Sequence, residues 1–436
     1  MNLVKDYVDI VSSYTDAPEL FIRASAYFII SSTLGKFFYC PYLVGHARPN
    51  LWIVLSSIPG RMRRSTITNY TIFTYKHAMM KFYQKSAEFA KEKGFALDLE
   101  RFKNLIFSSF IEEGTPEGII DHIQSTNLDA YCIISSEFGS LLERATTRDY
   151  EMGLLALFSK LYYGEGGVYY LSKRGKKNEE ESVRIIPEGL YVTMFSSMQE
   201  PHLYLTPKMI RQGFLRRLMI CYVEPNELKE WKPPFRLELK NVYDDLANLA
   251  EKIGEKVFEY SNYASTSRII ANIHPEVAER INRYAEKLDM MVKNIGDDVS
   301  IVKQTQWEHL AKLSILDAIS KCNIKTLSNY PILHVDKENF VEALKFLRYV
   351  DEKMENIVAK IASYREPVKT SFEPIERVYA IIKQHGEITR AELYKKAMMK
   401  KRELDEILET LLSAERIDIK VQSTKGRHKL IYVCKE

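Results

Sequence analysis

Apolar residues recur along this chain in two patterns. Unbroken runs such as "NLWIVLSS", "AYCIISSEFG", "RIIPEGLYVTMFSS" and "FLRRLMICYVEP" read as buried strands. "FFYCPYLV" and "RFKNLIFSSF" each contain a further strand. The segments between them carry helical periodicity. The first 48 residues are mostly helix, and a long helix runs from about Ser65 to Lys93. "TPEGIIDHIQS" is a helix with Thr115 as N-cap and Pro116 in the first turn, and another helix begins near Ser140. Strands alternating with helices predict an α/β, three-layer domain with a mostly parallel sheet.

The pattern changes at the proline-rich "EWKPPFRLEL" near residue 230. From about 239 to 363 apolar residues recur at helical spacing throughout, as in "VAERINRYAEKLDMMVKNI" and "WEHLAKLSILDAISK". A polar linker, "YREPVKTSFEP", follows. The expected organisation is an N-terminal helical segment over 1–48, an α/β core over 49–232, an all-α lid-like region over 233–366 and a small unit over 367–436. In that last unit "PIERVYAIIKQHG" is a helix stopped at Gly386, "EITRAELYKKAM" a helix capped by Thr389, and "KRELDEILETLLSAERI" a third. "DIKVQSTKGRHKLIYV" is a hairpin, so the order is that of a winged helix-turn-helix.

Charge sharpens the picture of the last unit. From Val368 onward there are 15 lysines and arginines against 11 aspartates and glutamates, a net of +4 that equals the net of the whole chain. Lys425, Arg427 and Lys429 on the hairpin, Lys400, Lys401 and Arg402 at the start of the third helix, and Arg390 are the candidate DNA contacts. The third helix turns acidic after that (Glu403, Asp405, Glu406, Glu409), which favours backbone contact over base reading. The basic-then-acidic "SKRGKKNEEESV" is a solvated turn or a loop that touches nucleic acid. Five cysteines and nine histidines are scattered without metal-binding spacing, so no structural metal is expected. The most apolar early window, "LFIRASAYFIISSTLG", is broken by Arg23 and too short to span a bilayer, and no signal peptide is evident. The expectation is a cytoplasmic protein without a membrane partner.

The candidate chemistry lies in "LWIVLSSIPGRMRRSTITNY", residues 51–70. A buried strand, a turn and a helix opening with a hydroxyl residue is the layout of a phosphate-binding loop. Laid on G-x-x-x-x-G-K-[ST], Ser57 and Met62 take the glycines, Arg63 the lysine and Arg64 the hydroxyl. A slip of one residue puts Arg63 on the second glycine, Arg64 on the lysine and Ser65 on the hydroxyl. Both registers lose glycine where the backbone must approach phosphate. Arginine is bulkier and more planar than the lysine it replaces. Gly60, Arg61, Arg63, Arg64, Ser65 and Thr66 are nonetheless a strong anion-binding set at a helix N-terminus.

The order of this loop, then "TPEGIIDHI", then "YCIISSEFGSLL", then "GLYVTMFSSMQE" and "GFLRRLMICY", resembles a family of helicase-like P-loop proteins of RecA/AAA+ type. That family is of undefined function and accompanies primases of plasmids and phages. The resemblance covers residues 15 to 360. It implies that Glu137 is the strand-end acid that orients water or Mg²⁺, with Ser136 in place of its usual aspartate neighbour. It places Ser196 and Ser197 at a sensor position. It implies that Arg216 and Arg217 are arginine fingers acting on a neighbouring subunit's nucleotide, hence a homo-oligomer. Helical lid and winged helix together look like the tail of AAA+ replication proteins, an analogy of architecture only.

The resulting expectation is a DNA-binding, helicase-like P-loop protein of a replication or plasmid- and virus-maintenance system, from an archaeal mobile element. Its degenerate site would take ATP and Mg²⁺ with weak or no hydrolysis. Two rivals stand beside it. One is an active ATP-driven DNA motor in which arginine does the lysine's work. The other is a non-catalytic adaptor that recruits a primase or another replication protein through its winged helix.

Overall fold

A computed structural model describes residues 2–434 except 43–44, 59–61, 96–98, 112–113, 148–152, 172–181, 207–208, 211–212, 225–226, 228–240, 265–268, 295–297, 328–330, 364–373, 398–400, 415 and 425–426. The chain divides into two compact units, Met1–Ala362 and Ser363–Glu436.

The larger unit is an α/β domain around a five-stranded sheet in which every pairing is parallel. In spatial order the strands are Phe110–Ile111, Ala130–Ser135, Tyr191–Met198, Trp52–Ser57 and Met219–Val223. We call Trp52–Ser57 the loop strand, Ala130–Ser135 the acid strand, Tyr191–Met198 the serine strand and Met219–Val223 the closing strand. All six residues of the loop strand are buried, as expected for a strand covered on both faces. One face packs on helices Leu3–Tyr14, Glu19–Leu34, Arg64–Glu92 and Val242–Ala264 through Ile53, Leu55, Phe195 and Cys221. The other packs on helices Pro116–Thr126, Phe138–Thr147 and Leu154–Tyr163 through Trp52, Val54, Met194 and Ile220. Glu19–Leu34 is apolar on nearly every side and runs through the interior, which explains the membrane-like look of its sequence. No helix among the described residues is long and apolar enough to cross a membrane.

Two expectations need correction. "RFKNLIFSSF" forms a helix, Leu99–Ser108, and only Phe110–Ile111 joins the sheet. The region from 233 is not wholly helical, because it contributes strands Ile269–Ile273 and Ile332–Val335. These pair in parallel with each other, and Ile269–Ile273 also pairs in parallel with Phe38–Tyr42, in a second, four-stranded sheet completed by Gly45–Ala47. The pairing of Phe38 with Ile269 joins segments more than 200 residues apart, so no local pattern reveals it.

The smaller unit contains helices Pro374–His385, Arg390–Ala397 and Lys401–Ser413, and a three-stranded antiparallel sheet of Glu387–Thr389, Arg427–Cys434 and Ile417–Thr424. Val378, Ile382, Leu393, Leu404, Leu411 and Tyr432 are among its core residues. Gly386 ends the first helix at φ +69°, a conformation open to glycine. Thr389 and Glu392 close a capping box, with the Thr389 backbone N–H donating to Glu392 Oε2 at 3.1 Å.

Candidate phosphate site at the carboxyl edge of the sheet

The loop strand and the serine strand are neighbours, yet their connections leave in opposite directions. The chain departs the loop strand toward the Phe110–Ile111 edge, and departs the serine strand toward the closing strand. Adjacent strands whose connections pass to opposite faces of the sheet, as these do, open a crevice at their carboxyl ends, where ligands of open parallel sheets bind. Arg63–Arg64, Ser136–Glu137 and Met198–Gln199 all lie at that edge.

The helix after the loop begins at Arg64 and runs to Glu92. Arg63, just before it, is left-handed at φ 55° and ψ 24°. A side chain is strained there and glycine is not. Arg63 is thus the residue before this helix whose backbone would suit glycine. Gly60 and Arg61 lie outside the described residues. Ser65 is exposed and Thr66 half-buried.

The two described arginines point to different places. Arg63 Nε donates to Asp16 Oδ1 at 2.8 Å, tying the loop to the N-terminal segment. Arg64 reaches across the strand ends, and its Nη1 donates to the carbonyl of Met198. Burial pushes the Arg64 pKa down, and the neighbouring Glu137 and Tyr204 oppose that push. Arg64, Glu137 and Tyr204 are thus electrostatic neighbours at this edge. Gly139 holds Tyr204 close, since a Cβ there would lie 2.7 Å from the tyrosine ring.

Glu137 is exposed at the start of the helix beyond the acid strand. Its carbonyl accepts from Leu141 N at 3.3 Å, and its own N–H donates to Ser135 Oγ at 3.3 Å. Ser197 Oγ donates to the Ser136 carbonyl at 2.9 Å, which locks the acid and serine strands together at this edge. Ser196 Oγ is buried without a partner among the described residues.

The arginine pair is not brought to this edge. Leu215–Arg217 forms a single turn before the closing strand, at the amino end of the sheet. Arg217 is buried, donates to the Gly213 carbonyl, and lies 5.0 Å from the Tyr163 ring centroid. Arg216 is half-buried and its carbonyl accepts from Thr305 Oγ1 at 2.9 Å.

Sequence reasoning missed a buried charged cluster at that same amino edge. Lys312 Nζ donates to Glu308 Oε1 at 2.8 Å, Asn50 Oδ1 at 2.9 Å and Tyr162 OH at 2.9 Å. The Glu–Lys spacing of four in "WEHLAK" is its one sequence signal, and that spacing ordinarily marks a solvent-facing pair.

In the smaller unit Arg390 pairs with Asp405, so this candidate contact is engaged within the unit. Lys401 and Arg402 open the third helix. Arg427 and Lys429 lie on the last strand opposite Thr424 and Gln422. Lys400 and Lys425 are outside the described residues. Among the described residues no group of three or more His, Cys, Asp or Glu side chains is placed to hold a metal ion. Compared with protein-family models and with curated protein sequences, the chain matches none.

Proposed function

We propose that the protein is a DNA-binding, P-loop-type member of a replication or plasmid- and virus-maintenance system, whose loop holds phosphate and supports little or no ATP hydrolysis. The observation that carries this is the convergence of loop, Arg64 and Glu137 at the switch point of a parallel sheet. The helix–helix–helix–hairpin order of the smaller unit, with its excess of positive charge, supports duplex binding through a winged helix. Arg216 and Arg217 sit at the edge opposite the loop of their own chain, so a role on nucleotide requires a neighbouring copy and hence an oligomer. The rival reading as a motor is favoured by one observation, the exposed carboxylate of Glu137 beside the crevice.

Duplex DNA affinity measured across a salt series tests the DNA arm. The Lys425→Ala/Arg427→Ala/Lys429→Ala variant of the full chain is expected to bind more weakly. The slope of its log affinity against log salt should be shallower by about 0.9 for each phosphate that the variant no longer neutralises. Affinity that is insensitive to salt, or unchanged in the variant, contradicts DNA anchoring by the hairpin and favours a protein-docking role for this unit.

A further inference from the structure

Helix Leu99–Ser108 packs on the long helix Arg64–Glu92, next to the edge strand Phe110–Ile111. Ile106 faces inward and is 4% exposed, whereas Phe107 turns outward and is 62% exposed. The Phe107 ring is held in place. The Lys76 ammonium lies 4.8 Å from its centroid and 5.2 Å from that of Phe110. Phe110 in turn meets the buried Tyr75 edge-on, with ring centroids 5.3 Å apart. Tyr75, Phe110, Lys76 and Phe107 form a ladder from core to solvent whose last rung is an aromatic ring. The charge on Lys76 is not answered by a carboxylate. Lys81 and Lys85 of the same helix pair with Glu251 at 3.1 Å and Glu88 at 3.4 Å. Lys76 has the two rings as its partners among the described residues. Its surroundings share its sign. From Lys76 to Ser108 the chain carries seven lysines and arginines against four aspartates and glutamates, although residues 1–367 taken together are neutral.

We infer that Phe107 and Lys76 form a stacking site for single-stranded DNA on the larger unit, separate from the duplex contact proposed for the hairpin. This rests on the DNA-binding reading above and deepens it. An aromatic face takes an unstacked base, which a single strand offers and a duplex does not. Lys76 covers one face of the Phe107 ring, and the exposure of the side chain leaves the other to a base. The uncompensated ammonium beside that ring suits a backbone phosphate, and the local excess of positive charge complements the polyanion. Stacking on a ring is tolerant of base identity, so the site serves strand capture without sequence reading.

The test is fluorescence anisotropy of the purified full chain with a labelled oligothymidylate, and in parallel with a labelled duplex of mixed sequence. Phe107→Ala should lower the oligothymidylate affinity by roughly five- to a hundred-fold, the worth of one base–aromatic stack, and leave the duplex affinity unchanged. Phe107→Tyr keeps the ring and should bind like the wild type. Lys76→Gln should make the salt dependence of oligothymidylate binding shallower by about 0.7 in slope, for one phosphate no longer neutralised. Duplex binding without oligothymidylate binding by the wild-type chain overturns the inference and leaves the DNA reading standing. Binding of neither overturns the DNA reading, and the inference falls with it. Oligothymidylate affinity unchanged in Phe107→Ala also overturns the inference, because the strand then binds elsewhere. So does equal affinity for poly-L-glutamate of like charge, which would mark the patch as a dock for an acidic protein. Phe107 is exposed, so its truncation leaves the core intact.

Discussion

Replacing Lys312 with methionine is expected to destabilise the larger unit by about 3–5 kcal/mol. The side chain is 2% exposed, and each of its three ammonium hydrogens has an acceptor: Glu308 Oε1, Asn50 Oδ1 and Tyr162 OH. Burial drives the Lys312 pKa down, and Glu308 offsets part of that push. Burial drives Glu308 the other way, but the ammonium outweighs it and its pKa ends below the ordinary value. The variant keeps the volume and loses the charge, so Glu308 is left with a largely buried, uncompensated carboxylate. Asn50 compounds the loss. Its Nδ2 ties the Tyr162 carbonyl at 2.8 Å to the Val192 carbonyl at 3.1 Å, joining the end of one helix to the start of the serine strand. Denaturant unfolding followed by circular dichroism measures the effect. A double variant, Lys312→Met with Glu308→Leu, should recover most of the loss, since removing both charges also removes the unpaired one. A shift below about 1 kcal/mol for the single variant would show that water reaches this pair.

Asp351→Asn should stabilise the protein at neutral pH and do nothing in acid. Asp351 Oδ2 accepts from Tyr284 OH at 3.0 Å, while Oδ1 is buried without a partner among the described residues. Burial raises its pKa to about 7 from 3.8, with Tyr284 and Lys303 pulling weakly the other way and Glu352 adding to the rise. A carboxyl whose folded pKa exceeds its unfolded value binds more protons in the fold. Its contribution is therefore fully present below the unfolded pKa and declines as pH rises toward 7. Asparagine cannot ionise and can still accept from Tyr284. The gain over wild type should grow from nothing near pH 4 to about 1–3 kcal/mol at pH 8. His309 works in the opposite sense. Burial lowers its pKa to about 4 from 6.5, so its contribution is present above 6.5 and lost as the pH falls. Comparing variant with wild type at each pH cancels that second slope. A difference that stays flat from pH 4 to 8 would mean Asp351 is ionised throughout.

Much of the α/β unit was legible because its signals are local. The buried runs at 52–57, 130–135, 191–198 and 219–223 are strands, and Thr115 caps its helix by accepting from Gly118 N at 3.2 Å. Thr389 and Gly386 mark helix ends for the same reason, since capping chemistry lies within a few residues of the break. "RFKNLIFSSF" misled because Phe102, Leu105, Ile106 and Ser109 fit helical spacing while the aromatic content suggests a strand. Of the second sheet only the strand in "FFYCPYLV" was legible, because the parallel pairings that bring Ile269–Ile273 and Ile332–Val335 to it are long-range. Lys312 was invisible too, since a lysine in a periodic helix normally faces water and only the fold places Asn50 and Tyr162 against it. The candidate site was half legible. The sequence left two registers for the loop, and nothing local to it announced the left-handed backbone of Arg63. The reach of Arg64 to Met198 depends on which strand lies beside the loop strand, and strand order is a property of the whole sheet.

Whether this loop supports hydrolysis decides between a scaffold and a motor. The direct measurement is phosphate release from ATP by the purified full chain, with and without single- and double-stranded DNA, alongside Glu137→Gln. No turnover above that of the variant is expected under any of these conditions, in keeping with a phosphate-holding, DNA-binding scaffold. Turnover that DNA stimulates and Glu137→Gln abolishes would contradict that reading, and would make the protein a motor that runs on arginine.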